Sequence, residues 1–247
     1  MSDQRLRELE RKWRESGTVE DEAAYLREQV RVGDITREGL EIGASFGDEI
    51  ARFTLADQAP SLLPAGSLEE LLEMIKSCSK QVVIRAALAA VRAAGCSSIE
   101  DWDADYVDFH HQLIEAACDW LRCPCDDHMD QAWTISHSDT KLRESPRYDW
   151  SNDRDYREYC NQQYSRWRSA DRVAYAAKRA VKACACREHR SHAIGITAQF
   201  ASPIAIDAIK QVALEMEEQV VWQAIRDALI PWALGRGDPV LGLRIAA

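Results

Sequence analysis

Long stretches of this sequence run without a helix breaker, and no other feature constrains the fold as much. The 247 residues include 11 glycines and 7 prolines, about 7% of the chain against a usual sum of about 12%. Sandwiches, barrels and dinucleotide-binding folds need more turn glycines than this. Neither a G-x-G-x-x-G nor a G-x-x-x-x-G-K-S/T run is present to open a nucleotide fold. Between the few breakers, apolar residues recur at helical spacing behind capping residues. The expected class is therefore all-α, with a small N-terminal helical unit over residues 1–56 and a larger array of helical hairpins over 67–247.

Leu6, Leu9 and Trp13 mark a first, heavily charged helix that Gly17 ends. Thr18 caps a second, with Asp21 three residues on as in a capping box, and Val19, Ala23, Leu26 and Val30 share one face up to Gly33. A third helix is expected from near Asp34 or Thr36, and Phe46 and Ile50 are expected in a fourth. Pro60, Pro64 and Gly66 make 57–66 a linker. After it, Ser67 and Glu70 form a second capping box ahead of Leu68, Leu71, Leu72 and Ile75. The alanine-rich run Lys80 to Ala94 is apolar on most sides and reads as a central helix. Tyr106, Phe109, Leu113, Ala116, Ala117, Trp120 and Leu121 form an amphipathic face that stops before Pro124. From His137 to Tyr156 the pattern disappears, and a long loop is expected around Tyr148 and Trp150. Helices should resume at Asp153 to Trp167 and Asp171 to Cys186. Ile204 to Leu234 reads as mostly helical, kinked at Pro231 and ended at Gly235.

The composition, 46% hydrophobic and 29% charged, supports a folded core at this length. Met1 to Arg14 lacks the apolar core of a signal peptide, and no apolar run reaches the ~18 residues of a membrane helix. The expected compartment is the cytoplasm, with no membrane partner. There the eight cysteines are core residues, ligands or reactive groups before they are disulfides.

Three segments carry a family resemblance. Leu9-Glu10-Arg11-Lys12-Trp13, then Ser16-Gly17-Thr18-Val19-Glu20-Asp21-Glu22-Ala23-Ala24-Tyr25-Leu26, then Val32-Gly33-Asp34-Ile35-Thr36-Arg37-Glu38 together resemble the repeat-companion domain found at the N-termini of diverse bacterial proteins. The resemblance covers about residues 5–55 and implies a helical fold, with no catalytic residue to carry over. The alanine-rich hairpins around Ile114 to Trp133 and Val173 to Phe200 look like helical immunity proteins of bacterial toxin systems in composition and rhythm only.

The net charge of −10 is unevenly placed. Asp101 to Cys160 holds fifteen acids against six bases, net −9, whereas Tyr164 to Arg190 holds eight bases against two acids, net +6. The acidic middle, with Tyr148, Asp149, Trp150 and Asp153, is the expected binding surface for a basic protein partner. Its rival is internal neutralisation by the basic stretch. Nucleic acid is a weaker fit to that stretch, because the sequence pI is near 5.2.

One chemical pattern occurs twice at an offset of 61 residues: Cys123, Cys125 and His128, then Cys184, Cys186 and His189, both written C-x-C-x-D/E-H after a helical run. On a helix, residues i and i+3 are neighbours, so Cys125/His128 and Cys186/His189 form two candidate ligand pairs, together a Cys2His2 set suited to structural zinc. The competing account is that these cysteines pack as small apolar groups. His111/Glu115 and His189/His192 have helical pair spacing too, but they read more simply as surface pairs. No cysteine carries a hydrolase signature. The function that follows is a non-enzymatic protein-interaction module of immunity type. The alternatives are a metal-dependent or thiol enzyme using the duplicated segments, and a nucleic-acid-binding accessory.

Overall fold

The computed structural model describes residues 2–98, 104–137, 172–185 and 198–242. It is all-α, with no strand among the described residues. The helices are α1 (Ser2–Ser16), α2 (Val19–Val32), α3 (Arg37–Ser45), α4 (Glu49–Leu55), α5 (Leu68–Lys76), α6 (Lys80–Ser98), α7 (Ala104–Arg122), α8 (Asp126–His137), α9 (172–184), α10 (Ala198–Ala213), α11 (Glu218–Ala233) and α12 (Pro239–Gly242). None of them is long and apolar enough to cross a membrane.

The N-terminal helices begin and end where local chemistry demands. Thr18 Oγ1 accepts the Asp21 amide, Thr36 Oγ1 accepts Gly39 N–H at 3.0 Å, and Asp48 Oδ1 accepts Ala51 N–H at 2.9 Å. Gly33, at φ 88°, ends α2 with its amide and that of Asp34 returned to the last turn. Phe46 departs from expectation. It closes α3 instead of entering α4, because Gly47 turns the chain at φ 86° and Asp48 starts the next helix. Trp13 stacks on Tyr25 with ring centroids 5.3 Å apart, and Lys12 pairs with Asp21 at 2.7 Å. These contacts hold the charged α1 against α2.

Helix α6 is the centre of the molecule. Val82, Val83, Ile84, Ala86, Ala87, Leu88, Ala90 and Val91 are all fully buried, which explains why its sequence is apolar on most sides. Helices α10 and α11 lie along it, and α5, α7 and α12 also touch it. Leu68, Leu71, Leu72 and Ile75 from α5 and Phe109, Leu113, Ala116, Ala117, Trp120 and Leu121 from α7 enter the same core, as does the apolar side of α9. The Tyr106 side chain lies outside the described residues. Lys80 reaches across Trp120 to give a hydrogen bond to the Cys184 carbonyl at 2.7 Å, closing the end of α9 onto the start of α6. Arg85, also on α6, lies over the Trp232 ring and pairs with Asp238 at 3.0 Å.

The N-terminal helices share this packing. Ile42 and Phe46 belong to the main core, and Leu234 joins Leu26, Ile35, Leu40, Ala44 and Ala51 in a second cluster. Arg236 donates to both Asp48 and Glu22, at 2.7 and 2.9 Å. The segment read as mostly helical from Ile204 to Leu234 breaks at Leu214–Glu217, between α10 and α11. Pro231 lies in the last turns of α11, and Gly235 at φ 65° ends it.

Candidate functional site

The corner between α7 and α8 concentrates chemistry-bearing side chains. Helix α7 stops at Arg122 because Pro124 cannot supply a helical N–H. The chain then turns sharply: Cys125 N–H donates to the Cys123 carbonyl at 2.7 Å across Pro124, whose fixed φ suits so tight a turn. Cys125 next takes the capping position of α8. Its carbonyl accepts the first intrahelical bond, from Met129 N–H at 3.1 Å.

One helical turn on, the His128 ring folds back over the corner. Its Nδ1 lies 2.9 Å from the Cys123 carbonyl oxygen and 3.3 Å from Cys125 Sγ. The carbonyl can only accept, so this contact puts a proton on Nδ1. Ligand atoms of Cys123, Cys125 and His128 all fall within 4.8 Å of one another, with Cys123 exposed and the other two half-buried.

The thiols are not equivalent. The backbone amide of His128, then the Cys123 side chain and the His128 ring charge, pull the Cys125 thiol below its ordinary pKa. Cys123, sharing its hydrogen bond with Cys125, is pushed up. His128 is raised, first by its bond to the Cys123 carbonyl and then by the charges of Cys125 and Asp119. The corner therefore sets an acidified thiol beside a more basic imidazole, and its two sulfurs and one ring nitrogen are the donor types that a soft cation takes.

Of the four proposed metal ligands, Cys125 and His128 do come together. Cys186 and His189 lie outside the described residues, as do Tyr148, Asp149, Trp150 and Asp153. The two copies of the pattern are not locally equivalent. Cys123 is exposed beyond the end of α7, whereas Cys184 is 0% exposed inside α9, with its thiol against the Ala180 carbonyl. Cys184 packs as a small apolar group, and Cys123 joins the polar corner.

Helix α8 carries a second candidate surface. Ala132 and Ser136 are buried, and Met129 and Ile135 pack on the core. Beside this buried strip Asp126, Asp130, Trp133 and His137 form an exposed stripe at i, i+4, i+7 and i+11. Trp133 is 52% exposed and stacks on His137 with centroids 3.8 Å apart. His111 Nε2 has no hydrogen-bond partner among the described residues, and Glu115 is exposed, so that spacing forms no proton-sharing pair through Nε2. In the basic stretch, Arg172 pairs with Glu215, and Arg179 pairs with Asp207 at 2.9 Å.

Comparison with protein-family models, with curated proteins and with solved structures found no match.

Proposed function

We propose that the chain is a non-enzymatic interaction protein that binds a basic partner protein through an acidic and aromatic surface, as an immunity-type protein of a bacterial toxin system does. The carrying observation is Trp133. An indole left 52% exposed on a helix whose Ala132 and Ser136 are buried is the residue type that most often anchors a protein interface. Its stacking on His137 holds the ring in one orientation, so little freedom is lost on binding. Asp126, Asp127 and Asp130 are exposed on the same helix, where they attract a basic partner and speed its encounter.

Helix α8 lies within the net-acidic segment Asp101 to Cys160, which also carries Tyr148, Asp149, Trp150 and Asp153. Pairing of Arg172 and Arg179 with carboxylates at and after α10 leaves those two bases engaged away from α8.

Charge reversal tests the reading. A full-length Asp126→Lys/Asp130→Lys variant should keep its melting temperature and lose roughly tenfold or more in affinity for a basic protein captured by the wild-type chain, with the wild-type affinity falling as salt rises. Capture that ignores both the reversal and salt would overturn it.

A further inference from the structure

We infer that the corner Cys123-Pro124-Cys125 with His128 binds one thiophilic divalent cation, Zn²⁺ by its donor set, using three protein ligands and leaving the fourth tetrahedral position to solvent.

Geometry supports this first. Tetrahedral zinc with bonds of about 2.0–2.3 Å sets its ligand atoms about 3.5–3.8 Å apart. The donor atoms here already lie within 4.8 Å of one another, and Cys125 Sγ is 3.3 Å from His128 Nδ1. Closing round an ion therefore needs side-chain movements of at most about 1 Å. The backbone is set as well: the Pro124 turn fixes Cys123 relative to Cys125, and the first turn of α8 fixes Cys125 relative to His128. Three donors within six residues need no long loop to be closed. A set built from Cys125, His128, Cys186 and His189 needs segments 61 residues apart to meet.

Electrostatics points the same way. The amide dipoles at the start of α8 favour thiolates and oppose a bare cation. Two thiolates neutralise a divalent ion, so the complex presents little net charge to those dipoles. Asp126 and Asp127 follow Cys125 in sequence and are exposed, and Arg122, the base next to Cys123, is paired with Asp119 at 2.6 Å. Two sulfurs and an imidazole select zinc-like ions over magnesium or calcium, which prefer oxygen. On binding, the thiol protons and the Nδ1 proton leave to solvent, the neutral imidazole keeps its remaining proton on Nε2, and His128 Nδ1 exchanges the Cys123 carbonyl for the metal.

The test is a titration of the full-length, reduced protein with Co²⁺, followed by displacement with Zn²⁺. The expected result is about one metal per chain with the thiolate charge-transfer bands of tetrahedral cobalt. Cys123→Ser, Cys125→Ser and His128→Gln should each weaken binding roughly 100-fold or more, and Cys186→Ser/His189→Gln should leave it within about tenfold. Circular dichroism of each variant verifies that its helices are intact. Retention in Cys123→Ser with loss in Cys186→Ser/His189→Gln would replace the corner with the two-pair site. No tetrahedral spectrum in the wild type, or a Cys123–Cys125 disulfide that persists after reduction, would overturn the proposal.

Discussion

His110 illustrates how a single residue escapes a pattern reading. It sits on the apolar face of α7, three residues before Leu113 and seven before Ala117, yet a histidine there breaks the run of apolar letters. It is 2% exposed, and its Nε2 approaches α6 at Gly95, where an added Cβ would stand 2.9 Å away. Burial, and then the charges of His111 and Arg92, push its pKa down from 6.5 to about 4. The unfolded chain therefore takes up this proton before the folded one does. Above pH 6.5 the residue carries no penalty; as pH falls from 6.5 to 4 stability drops, and below 4 the loss levels off, at up to about 3 kcal/mol. Denaturant melts across that window should give a shallower pH slope for His110→Gln than for the wild type, and identical slopes would contradict the assignment. Cys123 escaped for another reason. Ligand pairs were sought at helical i, i+3 spacing, but the chain leaves the helix at Pro124, and the tight turn is what brings in the third donor.

Helix ends were legible where side chains set them. Thr18, Thr36, Asp48 and Ser67 cap α2, α3, α4 and α5 with their own oxygens, and local chemistry of that kind is written in adjacent residues. The break between α10 and α11 was not, because Leu214-Glu215-Met216-Glu217 contains no breaker. The turn tightens through Leu214 N–H to the Gln211 carbonyl and Glu215 N–H to the Val212 carbonyl, and it is imposed by two helices that must both lie on α6. Close approach between elements is similarly invisible in one dimension. Gly39 of α3 faces the end of α11, where an added Cβ would come within 2.5 Å of the Ala233 carbonyl oxygen. Alanine is better than glycine in a helix by about 1 kcal/mol, but displacing a packed backbone costs about 1–3 kcal/mol. Gly39→Ala is therefore expected to destabilise the protein by up to about 2 kcal/mol in chemical denaturation, and a higher midpoint would contradict that packing.

Across the whole molecule, composition and periodicity carried the all-α class and the central place of α6, because burial on most sides leaves a largely apolar sequence in which Lys80 and Arg85 are the buried polar exceptions. The 57–66 linker is visible in sequence, whereas the packing across it is not: Phe46 meets Trp222 edge-on at 5.6 Å, and Arg236 ties α11 back to Glu22 and Asp48. Half of the expected zinc set came together at the α7–α8 corner, and the exposed stripe of α8 lies within the acidic middle singled out by charge. Trp133 is not legible as a surface residue in the sequence, since a tryptophan at helical spacing reads as core until the adjoining positions Ala132 and Ser136 are found to take the buried places. Its role is where a structural and a functional account diverge most. The deciding measurement compares wild type and Trp133→Ala for melting temperature and for affinity towards the captured basic partner. The interaction account predicts a stability change within about 0.5 kcal/mol and a binding loss of about 2 kcal/mol or more. A marked fall in melting temperature with undiminished binding would contradict it.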